Sequence, residues 1–71
     1  MKSYVKEFAQ DIINDSRRLM IEMSKSCPAK KDLYERRFAK QSAKAERIVA
    51  NYSKGLITYH EAMACLVNVT L

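Results

Sequence analysis

Residues that reverse the direction of a chain are scarce in this sequence. Gly55 and Pro28 are the only glycine and the only proline among its 71 residues. A sandwich or barrel of short strands needs Gly, Pro, Asn or Asp at each turn, so such a fold is not expected. A chain this short also buries only about 60% of the surface that it exposes when unfolded. We therefore predict one all-α domain over residues 1–71, an antiparallel hairpin of two long helices plus a short C-terminal third helix, packed as a small three-helix bundle.

The first apolar periodicity predicts a helix over about residues 4–24. Ser3 is a suitable N-cap residue, and apolar residues then recur at intervals close to i, i+3, i+4 and i+7. We expect the helix to end near Ser24, because Pro28 disfavours the helical conformation at Cys27. The predicted buried positions of this helix are Val5, Phe8, Ala9, Ile12, Ile13, Leu19, Met20 and Met23.

The second helix is predicted over about residues 28–53, a segment rich in Ala, Lys, Arg and Glu. Pro28 suits the first turn of a helix, and Gly55 occupies the position just after the end, where a positive φ is needed. The two long helices are thus joined by a short connection and should lie antiparallel. The predicted inward face consists of Tyr34, Phe38, Ala45, Ile48, Val49 and Tyr52.

A short third helix is predicted over about residues 59–68. Thr58 and Glu61 have the spacing of a capping box, and the buried positions are expected to be Ala62, Met63, Cys65, Leu66 and Val67. The segment YSKGLITYHE, residues 52–61, is similar to the helix, glycine and I-T-x-x-E turn of SHOCT-type short C-terminal modules. That local resemblance implies oligomerisation, although Ala62 stands where the pattern has a phenylalanine.

The positive charge is concentrated in the middle of the chain. The formal net charge is +5, yet residues 1–24 sum to zero, because four basic residues are matched by four acidic ones. Residues 25–54 hold nine basic residues against three acidic ones, a net charge of +6. Such a distribution favours acidic partners, namely nucleic acid, an acidic protein surface or an anionic membrane.

Six basic residues of this segment follow one another at intervals of 7, 3, 4, 3 and 7, which places them on one side of the second helix. We name them the basic stripe and predict that they bind the partner. They are Lys30, Arg37, Lys40, Lys44, Arg47 and Lys54. A solvated helix face that serves solubility is the alternative interpretation. Ala39, Ala43 and Ala50 lie on a second face, where small side chains would let another helix approach closely.

No set of residues predicts a catalytic site, a metal site or a cofactor site. His60 is the only histidine and has no second histidine four residues away. The two cysteines, Cys27 and Cys65, are too few for a disulfide framework, so we expect reduced thiols and a cytoplasmic protein. The sequence has no run of 18 apolar residues, and no membrane association is expected.

The sequence therefore predicts a small non-enzymatic helical binding protein that acts as a regulator, inhibitor or adaptor. Its preferred partner is a protein with an acidic surface, which the basic stripe would contact. Size and charge are compatible with a phage or mobile-element accessory factor that targets a host nucleic-acid-processing enzyme. Two alternatives stay open: a sequence-nonspecific DNA- or RNA-binding protein, and an oligomeric structural subunit that self-associates through the alanine face.

Overall fold

The computed structural model describes residues 3–69, and the predicted domain of residues 1–71 extends beyond them at both ends. The described residues form helix α1 (Tyr4–Ser26), a 3₁₀ turn (Pro28–Lys30), helix α2 (Lys31–Ser53) and helix α3 (Tyr59–Val67), and they contain no strand. Each helix packs against the other two. The predicted all-α class, with two long helices and a short third helix in a small bundle, is confirmed.

Helix α1 begins where the sequence predicts and ends two residues later than predicted. The Lys6 N–H donates a hydrogen bond of 3.2 Å to the Ser3 hydroxyl oxygen, so Ser3 is the N-cap. At the other end the Cys27 N–H donates to the Met23 carbonyl at 2.9 Å. Only Cys27 leaves the helical conformation, with φ −140° and ψ 76°, because Pro28 restricts the residue directly before it and not Ser26.

Helix α2 starts at Lys31 and not at the predicted residue 28. The three residues before it form the 3₁₀ turn, with Pro28 at its first position and the Lys30 N–H donating to the Cys27 carbonyl at 3.0 Å. Such a turn tightens the connection between two helices by bonding each residue to the third one before it. The joint between α1 and α2 is therefore shorter than an extended loop would be.

Helix α2 ends in the predicted glycine cap. Gly55 has φ +76°, and its N–H donates to the Tyr52 carbonyl at 3.0 Å, while the Leu56 N–H donates to the Asn51 carbonyl at 2.9 Å. This pair of hydrogen bonds is the Schellman motif, which satisfies the last carbonyls of a helix. The chain then reverses and enters α3 within a few residues.

Helix α3 begins with the predicted capping box. The Glu61 N–H donates to the Thr58 hydroxyl oxygen at 3.2 Å, and the Thr58 N–H donates to the Glu61 carboxylate at 3.0 Å. The helix ends at Val67, one residue before the predicted end. Its N-terminus is thus held by local chemistry before any packing is considered.

The core lies at the end of the hairpin away from the α1–α2 joint. It contains Val5, Ala9, Ile13, Ala45, Ile48, Ala62, Leu66 and Val69. Three predicted core positions are wrong: Leu19 is 46% exposed, Val67 is 65% exposed, and Cys65 is exposed as well. Helix α3 has nine residues against 23 in α1, so it covers only one end of the hairpin and does not reach Leu19. Val69, just beyond α3, takes the buried place predicted for Val67.

Two polar residues that the apolar pattern did not identify are buried between the long helices. Ser16 is 8% exposed and Gln41 is 6% exposed. The Arg17 guanidinium of α1 lies 5.5 Å from the centroid of the Phe38 ring of α2, a contact that shows the antiparallel register of the hairpin. This register places Ser16 and Gln41 at the same level, where the packed core gives way to the half of the hairpin near the joint.

Candidate functional site

All six residues of the basic stripe are exposed. Arg37, Lys40, Lys44 and Arg47 belong to α2, where their spacing places them within an arc of about 80° at 100° per residue. Lys30 belongs to the 3₁₀ turn and precedes α2 as its N-cap residue, while Lys54 follows it as the C-cap residue. The stripe therefore runs the length of α2, with one lysine just outside each end.

The stripe is not neutralised by neighbouring carboxylates. The described residues form two ion pairs, Arg18 with Asp15 at 2.6 Å and Lys31 with Glu35 at 3.9 Å, and neither includes a stripe residue. Both pairs lie on exposed side chains, where such contacts contribute little to stability. The positive charge of the stripe is thus directed at solvent or at a partner.

Two further residues belong to this surface and were missed in the sequence. Leu33 precedes Arg36, Arg37 and Lys40 by three, four and seven residues and follows Lys30 by three, so all five side chains lie on neighbouring turns of one side of α2. Leu33 is 42% exposed, and Arg36 is exposed. The intervals of three and four residues identify both positions, although the apolar Leu33 does not belong to a pattern of charges.

The alanine face is open. Ala39, Ala43 and Ala50 are all exposed, so within the described chain they are available for a close helix approach. Glu46 lies between them in sequence and borders a groove on the neighbouring side of α2. The use of this face as a helix interface stays a prediction.

A groove of about 220 Å³ lies between α1 and α2 on one side of the hairpin. None of its lining residues belongs to α3. Because α3 packs against both α1 and α2 and leaves this groove open, α3 lies across the other face of the hairpin. The lining residues are Lys6, Ala9, Gln10, Ile13, Glu46 and Val49. Lys6 and Glu46 are its only ionisable groups, and no pair of acid and base side chains converges there with a nucleophile.

The remaining reactive side chains lie apart from one another. His60 is exposed at the start of α3, with its ring centroid 5.6 Å from that of Tyr59. Cys27 is half-buried at the joint, Cys65 is exposed on α3, and both are free thiols. Within residues 3–69 no three His, Cys, Asp or Glu side chains are grouped so that they could hold a metal ion.

Among the side chains of residues 3–69, a clear pKa shift is found at Glu61, and its cause is structural. Hydrogen bonds from the backbone and then from the side chain of Thr58 hold the pKa of Glu61 below its ordinary value of 4.5. The carboxylate is accepting bonds in its charged form, which is the role of the third helical residue in a capping box. Glu61 therefore acts as a helix cap, as the sequence predicts.

Among the helices of residues 3–69, none is both long enough and apolar enough to cross a membrane. No protein-family model, no curated protein sequence and no solved structure matches this chain. The likeness of residues 52–61 to SHOCT-type modules thus stays a local resemblance. The exposed surfaces described above are the features that bear on function.

Proposed function

We propose that this protein is a small non-enzymatic binding protein that regulates, inhibits or links its partner by docking the basic stripe of α2 on an acidic protein surface. The observation that carries the proposal is that the six residues of the basic stripe are exposed and that none of them forms an ion pair within residues 3–69. Long-range attraction from such a row raises the rate of encounter with an acidic surface. We place this function in the cytoplasm, where thiols such as those of Cys27 and Cys65 stay reduced.

A protein partner is favoured over nucleic acid by the side chains that accompany the cations. Leu33 lies among the basic residues and is 42% exposed, and a phosphate backbone provides nothing apolar for it to contact. Binding of single strands usually adds aromatic rings on which bases stack. The two tyrosines of α2 itself, Tyr34 and Tyr52, are half-buried, so neither places a fully exposed ring beside the stripe on this helix.

A binding role is also favoured by the distribution of the reactive groups. Cys27 lies at the α1–α2 joint, whereas His60 lies at the other end of the hairpin, close to the connection between α2 and α3. Enzymes need such groups to converge within hydrogen-bond reach in one concave site. The groove between α1 and α2 contains neither of them.

The proposal is tested by affinity capture and mass spectrometry with matched charge variants. In the stripe variant Arg37, Lys40, Lys44 and Arg47 are all replaced by Gln, which forms helices well and so leaves helicity nearly unchanged. The control variant removes the same number of positive charges from outside the stripe. It carries Gln in place of Lys6, Arg18, Lys25 and Lys31.

We expect the wild type and the control variant to capture one common protein after nuclease treatment, and the stripe variant to lose it. The isolated pair should then dissociate as salt is raised, because exposed charges are screened. A partner that the stripe variant retains would reduce the stripe to a solvated face. Loss of all binding after nuclease treatment, with a steep log-linear salt dependence, would identify a nucleic-acid-binding protein instead.

A further inference from the structure

The half of the hairpin next to the α1–α2 joint contains no buried residue. We name residues 17–40 the joint half, and every residue in it is exposed or half-buried. The segment nevertheless contains seven large apolar or aromatic side chains, a set that normally forms a core. These are Leu19, Met20, Ile21, Met23, Leu33, Tyr34 and Phe38.

The cause is the length of α3. At 1.5 Å per residue, α1 and α2 are each about 34 Å long and α3 is about 14 Å long. The buried residues of α3, Ala62 and Leu66, belong to the core at the far end of the hairpin. The joint half is therefore only two helices thick, and two helices alone cannot enclose their apolar side chains.

The face of the α1–α2 hairpin that α3 packs on extends beyond the end of α3 into the joint half. On α1, Phe8 and Ile12 pack against the core without lining the groove, and Leu19 follows Ile12 by seven residues on the same face. Met23 lies one further turn along. Leu19 is therefore on the α3 side of the hairpin, beyond the end of α3.

Helix α2 contributes Leu33 to the same side. At 100° per residue, Leu33 lies about 140–160° around the helix from Glu46 and Val49, which line the groove. On the groove side, by contrast, Arg17 covers the Phe38 ring. We name Leu19, Met23 and Leu33 the α3-side seam, a linear apolar strip between two antiparallel helices.

The charge around the seam specifies the chemistry of its occupant. The joint half contains eight basic residues and three acidic ones, a net charge of +5 that equals the formal charge of the whole chain. Lys30, Arg36, Arg37 and Lys40 surround Leu33. An occupant must therefore present apolar side chains in a row with carboxylates beside them.

The other occupants fit this surface less well. A second copy seated on the seam through its own joint half would bring +5 against +5. An anionic membrane is a plane, whereas the seam is a line, and Glu22, Asp32 and Glu35 lie in the same half of the hairpin. A helix of about ten residues, nearly three turns, matches the roughly 15 Å of the joint half that α3 leaves uncovered, where α1 and α2 each contribute ten helical residues.

We infer that the α3-side seam binds an acidic amphipathic helix of the partner protein, which lies in line with α3 and completes the three-helix cross-section along the whole hairpin. Its apolar side contacts Leu19, Met23 and Leu33, and its carboxylates pair with Arg37 and Lys40. This inference rests on the proposed function, since it assigns the docking element that the partner presents to the basic stripe. The mode is a helix in a groove, with anchors at i, i+3, i+4 and i+7.

The test uses a synthetic helical peptide as the probe, with Leu at the first and fourth positions of each heptad and Glu at most others. A scrambled peptide of the same composition is the matched control. Fluorescence anisotropy should show the amphipathic peptide binding to the wild type about tenfold or more tightly than the scrambled one, because only the former aligns its leucines. Equal affinity of the two peptides, or no binding of either, would overturn the inference.

Paired substitutions then locate the site. Leu19→Gln with Leu33→Gln should weaken peptide binding by about tenfold or more, whereas Tyr4→Gln with Leu56→Gln should leave it unchanged, since those exposed residues lie at the end of the hairpin away from the joint. Circular dichroism checks that both double variants stay helical. Equal peptide affinity of both double variants would exclude the seam. The inference would also be overturned if vesicles of phosphatidylcholine and phosphatidylglycerol bind the wild type but not the Leu19→Gln and Leu33→Gln variant, while the peptide binds neither.

The capture experiment distinguishes failure of the seam inference from failure of the proposed function. A partner that is retained by the Leu19→Gln and Leu33→Gln variant and lost by the four-Gln stripe variant would overturn the seam and leave the proposed function standing. A partner that the stripe variant retains would overturn the proposed function itself. Concentration-dependent self-association that the two leucine substitutions abolish would assign the seam to a second copy.

Discussion

Gly55 shows how one residue sets the path of the chain between α2 and α3. Its φ of +76° is a conformation that residues with a Cβ atom adopt only at a cost. A Cβ atom built on this glycine would meet nothing within 4 Å. The requirement for glycine is therefore conformational and does not come from crowding.

Because backbone conformation and not crowding requires glycine at position 55, substitutions there should differ according to how well they tolerate positive φ. Gly55→Val should lower the free energy of unfolding by about 1–2 kcal/mol, because a β-branched residue is penalised at positive φ. Gly55→Asn should cost much less, since asparagine tolerates that region. Thermal melts of both variants and of Ser53→Ala measure the difference. If Gly55→Val and Ser53→Ala melt together, the left-handed cap does not hold in solution.

The surroundings of Gln41 allow a second prediction about stability. It is 6% exposed, and its side-chain oxygen is buried with no hydrogen-bond partner among residues 3–69. An unpaired buried acceptor costs about 1–3 kcal/mol. Gln41→Met keeps the volume and removes the polar atoms, so we expect the free energy of unfolding to rise by about 1 kcal/mol.

Urea unfolding measures this change, with Gln10→Met as the control on the exposed surface of α1. The control should shift stability by less than about 0.5 kcal/mol. A loss of stability in Gln41→Met would mean that the amide is satisfied in solution, for example by a buried water molecule.

At the scale of the element, α3 shows how a short helix is defined at its start. Nine residues are too few for a stable isolated helix, so its existence depends on caps and on packing. The reciprocal bonds between Thr58 and Glu61 satisfy two N–H groups that would otherwise be unpaired at the N-terminus. The Glu61 carboxylate also lies at the positive end of the helix dipole.

The lowered pKa of Glu61 predicts how this cap responds to acid. Because the carboxylate is more acidic in the folded protein, it stabilises the fold above its ordinary pKa of 4.5, and that contribution is lost as pH falls through the lower folded value. Glu61→Gln keeps the acceptor oxygen and cannot titrate. The difference in melting temperature between wild type and Glu61→Gln should therefore be largest near about pH 7 and shrink towards about pH 3. A difference that does not change with pH would contradict the charged cap.

At the scale of the whole molecule, stability is concentrated at one end. The structure is elongated, 42 × 18 × 16 Å, and its buried apolar residues lie where all three helices meet. A core this small supplies only a few kcal/mol of net stability. Within residues 3–69 the joint half is thus held by the packing of α1, the 3₁₀ turn and α2 against one another.

Because the buried apolar residues lie at one end, we predict that the free energy of unfolding depends strongly on Leu66, which is fully buried in α3. Leu66→Ala should cost about 2–5 kcal/mol, comparable with the whole stability of the fold, and so unfold a large share of the chain at room temperature. Val67→Ala, at a neighbouring position that is 65% exposed, should change stability by less than about 0.5 kcal/mol. Far-ultraviolet circular dichroism during urea unfolding compares the two. Similar midpoints for both variants would place the core elsewhere.

The helices, their caps and the row of cations could be predicted from the sequence, with helix ends that differ by one to three residues. Each of these features depends on residues within about one or two helical turns of one another: Ser3 with Lys6, Thr58 with Glu61, and the basic stripe through intervals of three, four and seven. Leu33 and Arg36 were missed although the same intervals identify them. Local chemistry of this kind can be read without knowing what lies across the core.

Which apolar residues are buried depends on the packing of the three helices, and the periodicity of one helix does not predict it. Leu19 and Ile12 have the same position in the periodicity of α1, yet Ile12 packs against the core and Leu19 is 46% exposed. The difference depends on where the short α3 lies against the hairpin, which is a contact between segments distant in sequence. Contacts between distant segments also explain why Gln41 is buried and Val67 is exposed. Burial is a property of all three helices together, whereas periodicity reports only which side of one helix a residue occupies.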